Sequence, residues 1–273
     1  MLECPVCTSD ELELVERLPD DRRTIRCSSC HHTWTRGEAK RVTDTPASYS
    51  GLRDRFPDRS WVEPDRMARV EELKAEFLVD HQTPDPEVLA YWAKYQQVFS
   101  AEHIVDADPD DLREFANSTV GAAPGNMSVF NRAWKSMGDY EATARTRNTI
   151  RYLLYGPPSV PMADRFTRLV HEQGGLGMTG FKEALLTRVL CVVEPERYLP
   201  ILTYSTPSGG KREIAQLVYG LELPEAARVQ WTIGRLMMWS NDLLVDLAGD
   251  GFSTLQQVSQ FFGETKSREL ELA

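Results

Sequence analysis

Four cysteines within the first thirty residues constrain this chain more than any other feature. Cys4 and Cys7 are separated by two residues, Cys27 and Cys30 by two, and nineteen residues lie between the pairs. Two residues between cysteines let a tight turn aim both sulfurs at one point. Two such turns supply the four soft ligands of a tetrahedral site, and the expected cofactor is one Zn2+ bound by Cys4, Cys7, Cys27 and Cys30 as thiolates. Four protein ligands leave no coordination position open, so such an ion holds structure and does not activate water.

The residues between and after the pairs read as short strands. Glu11 to Leu18 alternates Leu12, Leu14 and Leu18 with charge, and Thr24-Ile25-Arg26 leads straight into the second pair. His31 to Arg36 gives a third strand, with Trp34 placed to cover the metal or to meet a partner. His31 and His32 are alternative ligands, made unnecessary by four cysteines. With its His-x-Trp strand after the second knuckle, this stretch resembles the zinc ribbons of transcription, replication and restriction proteins. The resemblance implies metal binding and leaves the partner open, because such ribbons bind DNA, RNA or protein.

The net charge of -10 argues against unspecific coating of nucleic acid, which needs positive potential. The charge is uneven, however. Arg22, Arg23, Arg26, Arg36, Lys40 and Arg41 stand against Glu38 alone in that segment. With Trp34 they form the expected nucleic-acid contact, phosphate pairing from the cations and stacking from the indole. The other reading is that these cations solvate a small domain and offset the charge of about -2 on a zinc-tetrathiolate centre.

Residues 1–44 read as the ribbon, 45–63 as a linker of Thr, Ser, Pro, Gly and alternating charge, and 64–273 as a mostly helical domain. The fold class expected is mainly α, a small N-terminal β zinc ribbon followed by a multi-helix domain. Met67, Val70, Leu73, Phe77 and Leu78 mark one helix after Pro64. Leu89, Trp92, Tyr95, Val98 and Phe99 mark the next, from about Glu87 to Phe99, opened by Pro84 and Pro86. Ser128 is the expected cap of a helix on which Phe130 and Trp134 share a face. Another helix spans roughly Glu141 to Tyr155. Helices over Thr179 to Val193 and Glu225 to Leu247 are apolar on most sides and are expected at the centre, with Cys191 a buried hydrophobe.

Arg132, Lys135, Arg145, Arg147 and Arg151 outnumber Asp139 and Glu141 and form a candidate second basic surface, or a solvated face paired with nearby acids. Catalytic patterns are sparse, and the sequence leans away from an enzyme. Gly209-Gly210-Lys211-Arg212 lacks the first glycine and the final hydroxyl of a phosphate loop, leaving a weaker anion site or an ordinary loop. Asp242 and Asp246 sit at helical i, i+4 spacing, where they either share a cation or lie on a solvated face. No apolar run approaches the roughly 20 residues of a membrane span, and no basic stretch precedes an apolar one at the start. A cytoplasmic chain with reduced thiols is expected.

Arg165-Phe166, the run Phe181 to Leu190 and the turn Glu194-Pro195-Glu196-Arg197-Tyr198-Leu199-Pro200-Ile201 resemble helical modules attached to McrB-like, methylation-dependent restriction ATPases and related phage-defence proteins. That resemblance implies a recognition or accessory module of a DNA-defence system and carries over no catalytic residue. The function expected is thus DNA binding, including modified DNA, in a prokaryotic restriction or defence pathway. Two alternatives stand beside it: an adaptor docking its acidic helical body onto a larger enzyme of a defence complex, and an enzyme with a pocket among the helices.

Overall fold

In the computed structural model the described residues are Cys4, Cys7, 10–17, 23–36, 56–81, 85–205, 209–226, 229 and 231–272. The chain forms two compact units, Met1–Arg55 and Phe56–Ala273. The first holds a three-stranded antiparallel sheet of β1 (Leu12–Arg17), β2 (Arg23–Cys27) and β3 (Thr33–Arg36), in sequential order. Leu14 pairs with Ile25, and Ile25 with Trp34. The register shifts between Leu14 and Glu16 by a bulge, after which Arg17 faces Arg23.

The second unit is helical: α1 (Pro64–Asp80), α2 (Pro86–Val98), α3 (Pro109–Asn117), α4 (Ser128–Tyr155), α5 (Met162–Val170), α6 (Glu183–Val193), α7 (Lys211–Tyr219), α8 (Ile233–Ala248) and α9 (Leu255–Leu272). The chain is therefore mainly α with a small N-terminal sheet. Proline opens α1, α2 and α3, where its missing N–H costs nothing, and the Asp85 and Asp108 side chains cap the second and third. None of the helices among the described residues is long and apolar enough to cross a membrane.

At the centre, α6 buries eight consecutive residues from Leu185 to Val192, and α8 buries Leu236, Met237, Leu243, Leu244 and Leu247. Arg188 of α6 is buried too. Its guanidinium lies against the rings of Tyr91 and Phe115, 5.1 and 5.3 Å from their centroids, and donates to the carbonyls of Ser118 and Val120. These contacts replace the water a buried cation loses.

Several boundaries differ from the sequence expectation, each for a local reason. Both central helices start later than expected, α6 at Glu183 and α8 at Ile233, where the Thr232 hydroxyl accepts from the Arg235 amide. Ser128 is the first residue of α4 and Met127 its cap, without a capping side chain, while the Asn126 side chain just ahead accepts from the Ser128 amide at 2.9 Å. Gly138, at φ 77°, breaks α4 into two helical segments. Residues 56–63 fold onto the body: Phe56 packs on Trp231 and Trp239, and the Arg59 guanidinium donates to the Asp246 carbonyl at 2.6 Å. Residues 45–55 of the expected linker lie outside the described residues.

Candidate metal centre

Cys4 and Cys7 come from the segment ahead of β1, Cys27 ends β2, and Cys30 lies in the turn that follows it. The His31 amide donates to the Cys27 carbonyl, the Cys27 amide to the His32 carbonyl, and the Ser28 amide to the Glu11 carbonyl, each at 2.9 Å. This last bond ties the turn to the start of β1. His31 takes the left-handed region at φ 58°, so its contribution is backbone geometry at the knuckle; His32 instead stacks on Trp34 with centroids 5.8 Å apart.

The result is convergence. The four sulfurs all lie within 4.8 Å of one another, with Cys4 to Cys30 and Cys7 to Cys27 each 3.5 Å apart. Zn–S bonds of about 2.3 Å give a regular tetrahedron an edge of about 3.8 Å, so the cage is sized for one such ion. All four are free thiols, and they can hold a metal.

The electrostatics call for a cation. At Cys27 burial opposes ionisation, but the Cys30 and Ser29 amides and the Cys7 thiol outweigh it and bring the thiol down to about 6. At Cys30 the His32 amide pulls the same way, yet burial and the neighbouring sulfurs push it up to about 12. Four thiolates this close are stable only around a positive charge. The sheet also has little else to fold around: among its described residues only Cys4, Ile25 and Cys27 are buried, while Leu14 and Val15 are exposed.

Of the residues expected to contact nucleic acid, Arg22, Lys40 and Arg41 lie outside the described residues. Arg23 and Arg26 are exposed on β2, and Trp34 is half-buried opposite Ile25. Arg23 pairs with Arg17 on one side and Arg36 on the other, so one rung of the sheet carries three arginines. The sequence reading missed Arg17, because only the bulge in β1 brings it into that register.

The second basic segment is not one continuous face. Gly138 separates Arg132 and Lys135 from the other three. The half-buried Arg147 donates twice to the Ala107 carbonyl, at 2.9 and 2.6 Å, and Arg145 pairs with Glu141 at 2.9 Å. Arg132 turns back to the Ser128 carbonyl at 3.3 Å, whereas Lys135 and Arg151 are exposed.

The glycine loop is poorly suited to anions. The Gly209 amide donates to the Glu213 carboxylate, Arg212 bonds the Leu223 carbonyl, and Lys211 points into the core toward Met237 O and Asn241 Oδ1, at 3.4 and 3.3 Å. Asp242 and Asp246 are both exposed, and the four cysteines are the one metal-sized group of ligands among the described residues. Asn241 beside them is buried and organises the turn at Leu199, accepting from its amide at 2.9 Å and donating to the Arg197 carbonyl at 2.8 Å. Cys191 is buried, its thiol pushed up to about 12 by burial, and donates to the Leu199 carbonyl.

Lys211 yields a stability prediction. Burial brings its ammonium down from 10.5 to about 8, against the smaller pull of Cys191, Asp242 and Glu183. Below pH 8 the group is charged both folded and unfolded, and the folded state carries the whole cost of burying it. Between pH 8 and 10.5 the folded state gives up the proton while the unfolded chain keeps it, so stability from this residue rises with pH. Lys211→Met is expected to stabilise the protein by about 2 kcal/mol at pH 7, within the ~3 kcal/mol that such a shift represents, and by much less at pH 10. Urea melts of both proteins at the two pH values check it, and tyrosine ionisation, common to both, cancels. An equal gap at the two pH values would show that Lys211 is not the titrating group.

No family model, no curated protein and no solved structure matches this chain.

Proposed function

We propose that the chain is a DNA-binding protein whose ribbon is organised by one Zn2+ and grips phosphate with the arginines of its sheet. The single observation that carries this reading is the rung Arg17, Arg23, Arg36. Like charges directly opposite one another weaken a sheet, by roughly 0.2–1 kcal/mol per pair. The phosphate is proposed to lie across this rung, at positions that the register places side by side; Arg23 is exposed there, and Arg26 is exposed on the opposite face of β2. The ion proposed is zinc because a closed set of four thiolates at this spacing matches its radius and tetrahedral preference. A reducing, cytoplasmic setting keeps those thiols available.

The pathway we propose is restriction or phage defence, with modified DNA among the ligands. Its support is the resemblance of the Arg165-Phe166 helix and the Glu194–Ile201 turn to modules of McrB-like systems. In this chain Phe166 is fully buried and the turn is held by Asn241, so both segments serve packing here.

A gel-shift series over salt tests the reading, using plain and modified duplexes and single strands. The triple variant Arg17→Gln, Arg23→Gln, Arg36→Gln is expected to lose tenfold or more in affinity, and the slope of log K against log salt to fall by about 2 to 3 for duplex DNA. Wild-type protein that retards no strand at low salt removes the proposal. A stoichiometric protein partner retained by the triple variant would put the adaptor role in its place.

A further inference from the structure

Most cations of the helical body are committed. Arg66 pairs with Glu269, Lys94 with Asp111 and Glu114, and Lys266 with Glu213, while Arg147 and Arg188 are held by carbonyls. Among the described residues of the body, Arg113, Lys135 and Arg151 make no ion pair or hydrogen bond through their side chains. Two of these three line the same hollow.

That hollow, of about 570 Å³, lies between α3 and the first segment of α4 and is lined by Arg113, Asn117, Asn131, Trp134, Lys135, Gly138 and Asp139. The amides of Asn117 and Asn131 exchange hydrogen bonds at 2.7 and 3.2 Å and fix the two helices against each other. The one acid in the lining, Asp139, accepts from the Trp134 indole N–H at 2.7 Å. Two cations therefore face a single carboxylate, which leaves the lining with a charge of +1 in a chain whose net charge is -10. Tyr140 follows the lining residue Asp139 in the chain without itself lining the hollow, and at 93% it is the most exposed large apolar side chain among the described residues. Neither feature helps the fold. An unpaired cation gains nothing from packing, and a tyrosine ring held in water forgoes the stabilisation that burial gives.

We infer that this groove binds an unpaired stretch of nucleic acid, with a backbone phosphate between Arg113 and Lys135 and a base stacked on Tyr140. The inference rests on the nucleic-acid reading above and adds a second, separate contact in the helical unit. Arginine and lysine supply the charge, the hollow admits a phosphodiester, and Tyr140, next in the chain to the lining residue Asp139, offers an exposed ring of the kind on which single strands stack without sequence preference.

Fluorescence anisotropy of the full-length protein with a labelled single-stranded oligonucleotide, and with its duplex, tests the assignment. Tyr140→Ala and the double variant Arg113→Gln, Lys135→Gln alter exposed side chains and are expected to fold normally, as circular dichroism will show. Each is expected to weaken single-strand binding about tenfold and duplex binding far less. The double variant should also lower the salt slope by about 1.4, two contacts at about 0.7 each. Unchanged single-strand affinity in both, with binding still cut by Arg23→Gln, overturns the groove and leaves the ribbon reading intact. Wild-type protein that binds no strand overturns both. Quenching of Trp134 fluorescence by inorganic phosphate, in a protein whose strand binding ignores the two variants, makes the hollow a small-anion site and overturns the strand assignment.

Discussion

Cys27→Ser is expected to empty the metal site and unfold the sheet while leaving the helical unit folded. Structural zinc in small domains supplies folding free energy on the order of 10–16 kcal/mol, and the described residues of this sheet offer no comparable source. Its strands are six, five and four residues long, and its described residues bury Ile25 and two cysteines. Such a sheet is marginal in water on hydrophobic burial alone. With serine at position 27 the cage keeps three sulfurs, and burial and the neighbouring sulfurs make Cys30 hard to ionise. Elemental analysis is expected to fall from one zinc per chain to none. Amide exchange at β2 should become unprotected, while exchange in α6 and α8 stays slow. DNA binding through the arginine rung should disappear with the strands, because Arg17, Arg23 and Arg36 align only when the register exists. Wild-type protein that is free of metal and still protects its strands would falsify the zinc assignment.

What the sequence made legible follows from how local each signal is. Ligand spacing at a knuckle is fixed by a turn of four residues, so the convergence of Cys4, Cys7, Cys27 and Cys30 can be read without knowing anything else of the fold. The starts of α1 and α2 are equally local, since Pro64 and Pro86 mark them. Which face of a helix turns inward is less so. The residues buried in α2 are Val88, Tyr91, Trp92 and Tyr95, whereas Leu89, expected in the core, is 42% exposed. Both stripes have helical period, and the positions of α3 and α6 choose between them, Tyr91 and Tyr95 packing on Phe115 of α3.

The features that decide the proposed contacts are less local still. A glycine inside a helical pattern is usually tolerated, so nothing in the sequence shows that Gly138 splits α4 and parts Lys135 from Arg145. The arginine rung depends on a one-residue bulge in β1, and a bulge moves every later side chain to the other face. Nothing in the sequence marks Arg188 and Lys211 for the core, since such residues are seldom fully buried; their partners, Ser118, Val120 and Asn241, are backbone groups and an amide far away along the chain.

A close approach between α5 and α8 gives the other large effect. Gly234, in the first turn of α8, lies against α5 where its amide donates to the Thr167 hydroxyl at 3.1 Å, and that hydroxyl donates to the Ala163 carbonyl at 2.8 Å. A methyl group at position 234 would stand 1.9 Å from the Ala163 carbonyl oxygen and 2.7 Å from Thr167 Oγ1. The first of these atoms is backbone and cannot rotate away, so α5 and α8 must separate. Alanine is the better helix former by about 1 kcal/mol, and the clash must exceed that gain for the variant to be less stable. Forced overpacking costs about 1–3 kcal/mol where side chains can yield; here a main-chain atom and the hydrogen bonds at both ends of Thr167 are at stake, so Gly234→Ala is expected to destabilise by about 3 kcal/mol or more. Gly263 in α9 provides the internal control, because a methyl there meets nothing within 4 Å. Gly263→Ala is expected to stabilise by up to ~1 kcal/mol from helix propensity alone. Urea melts of the two variants should therefore move in opposite directions, and a Gly234→Ala protein as stable as wild type would mean that α5 and α8 are not in backbone contact.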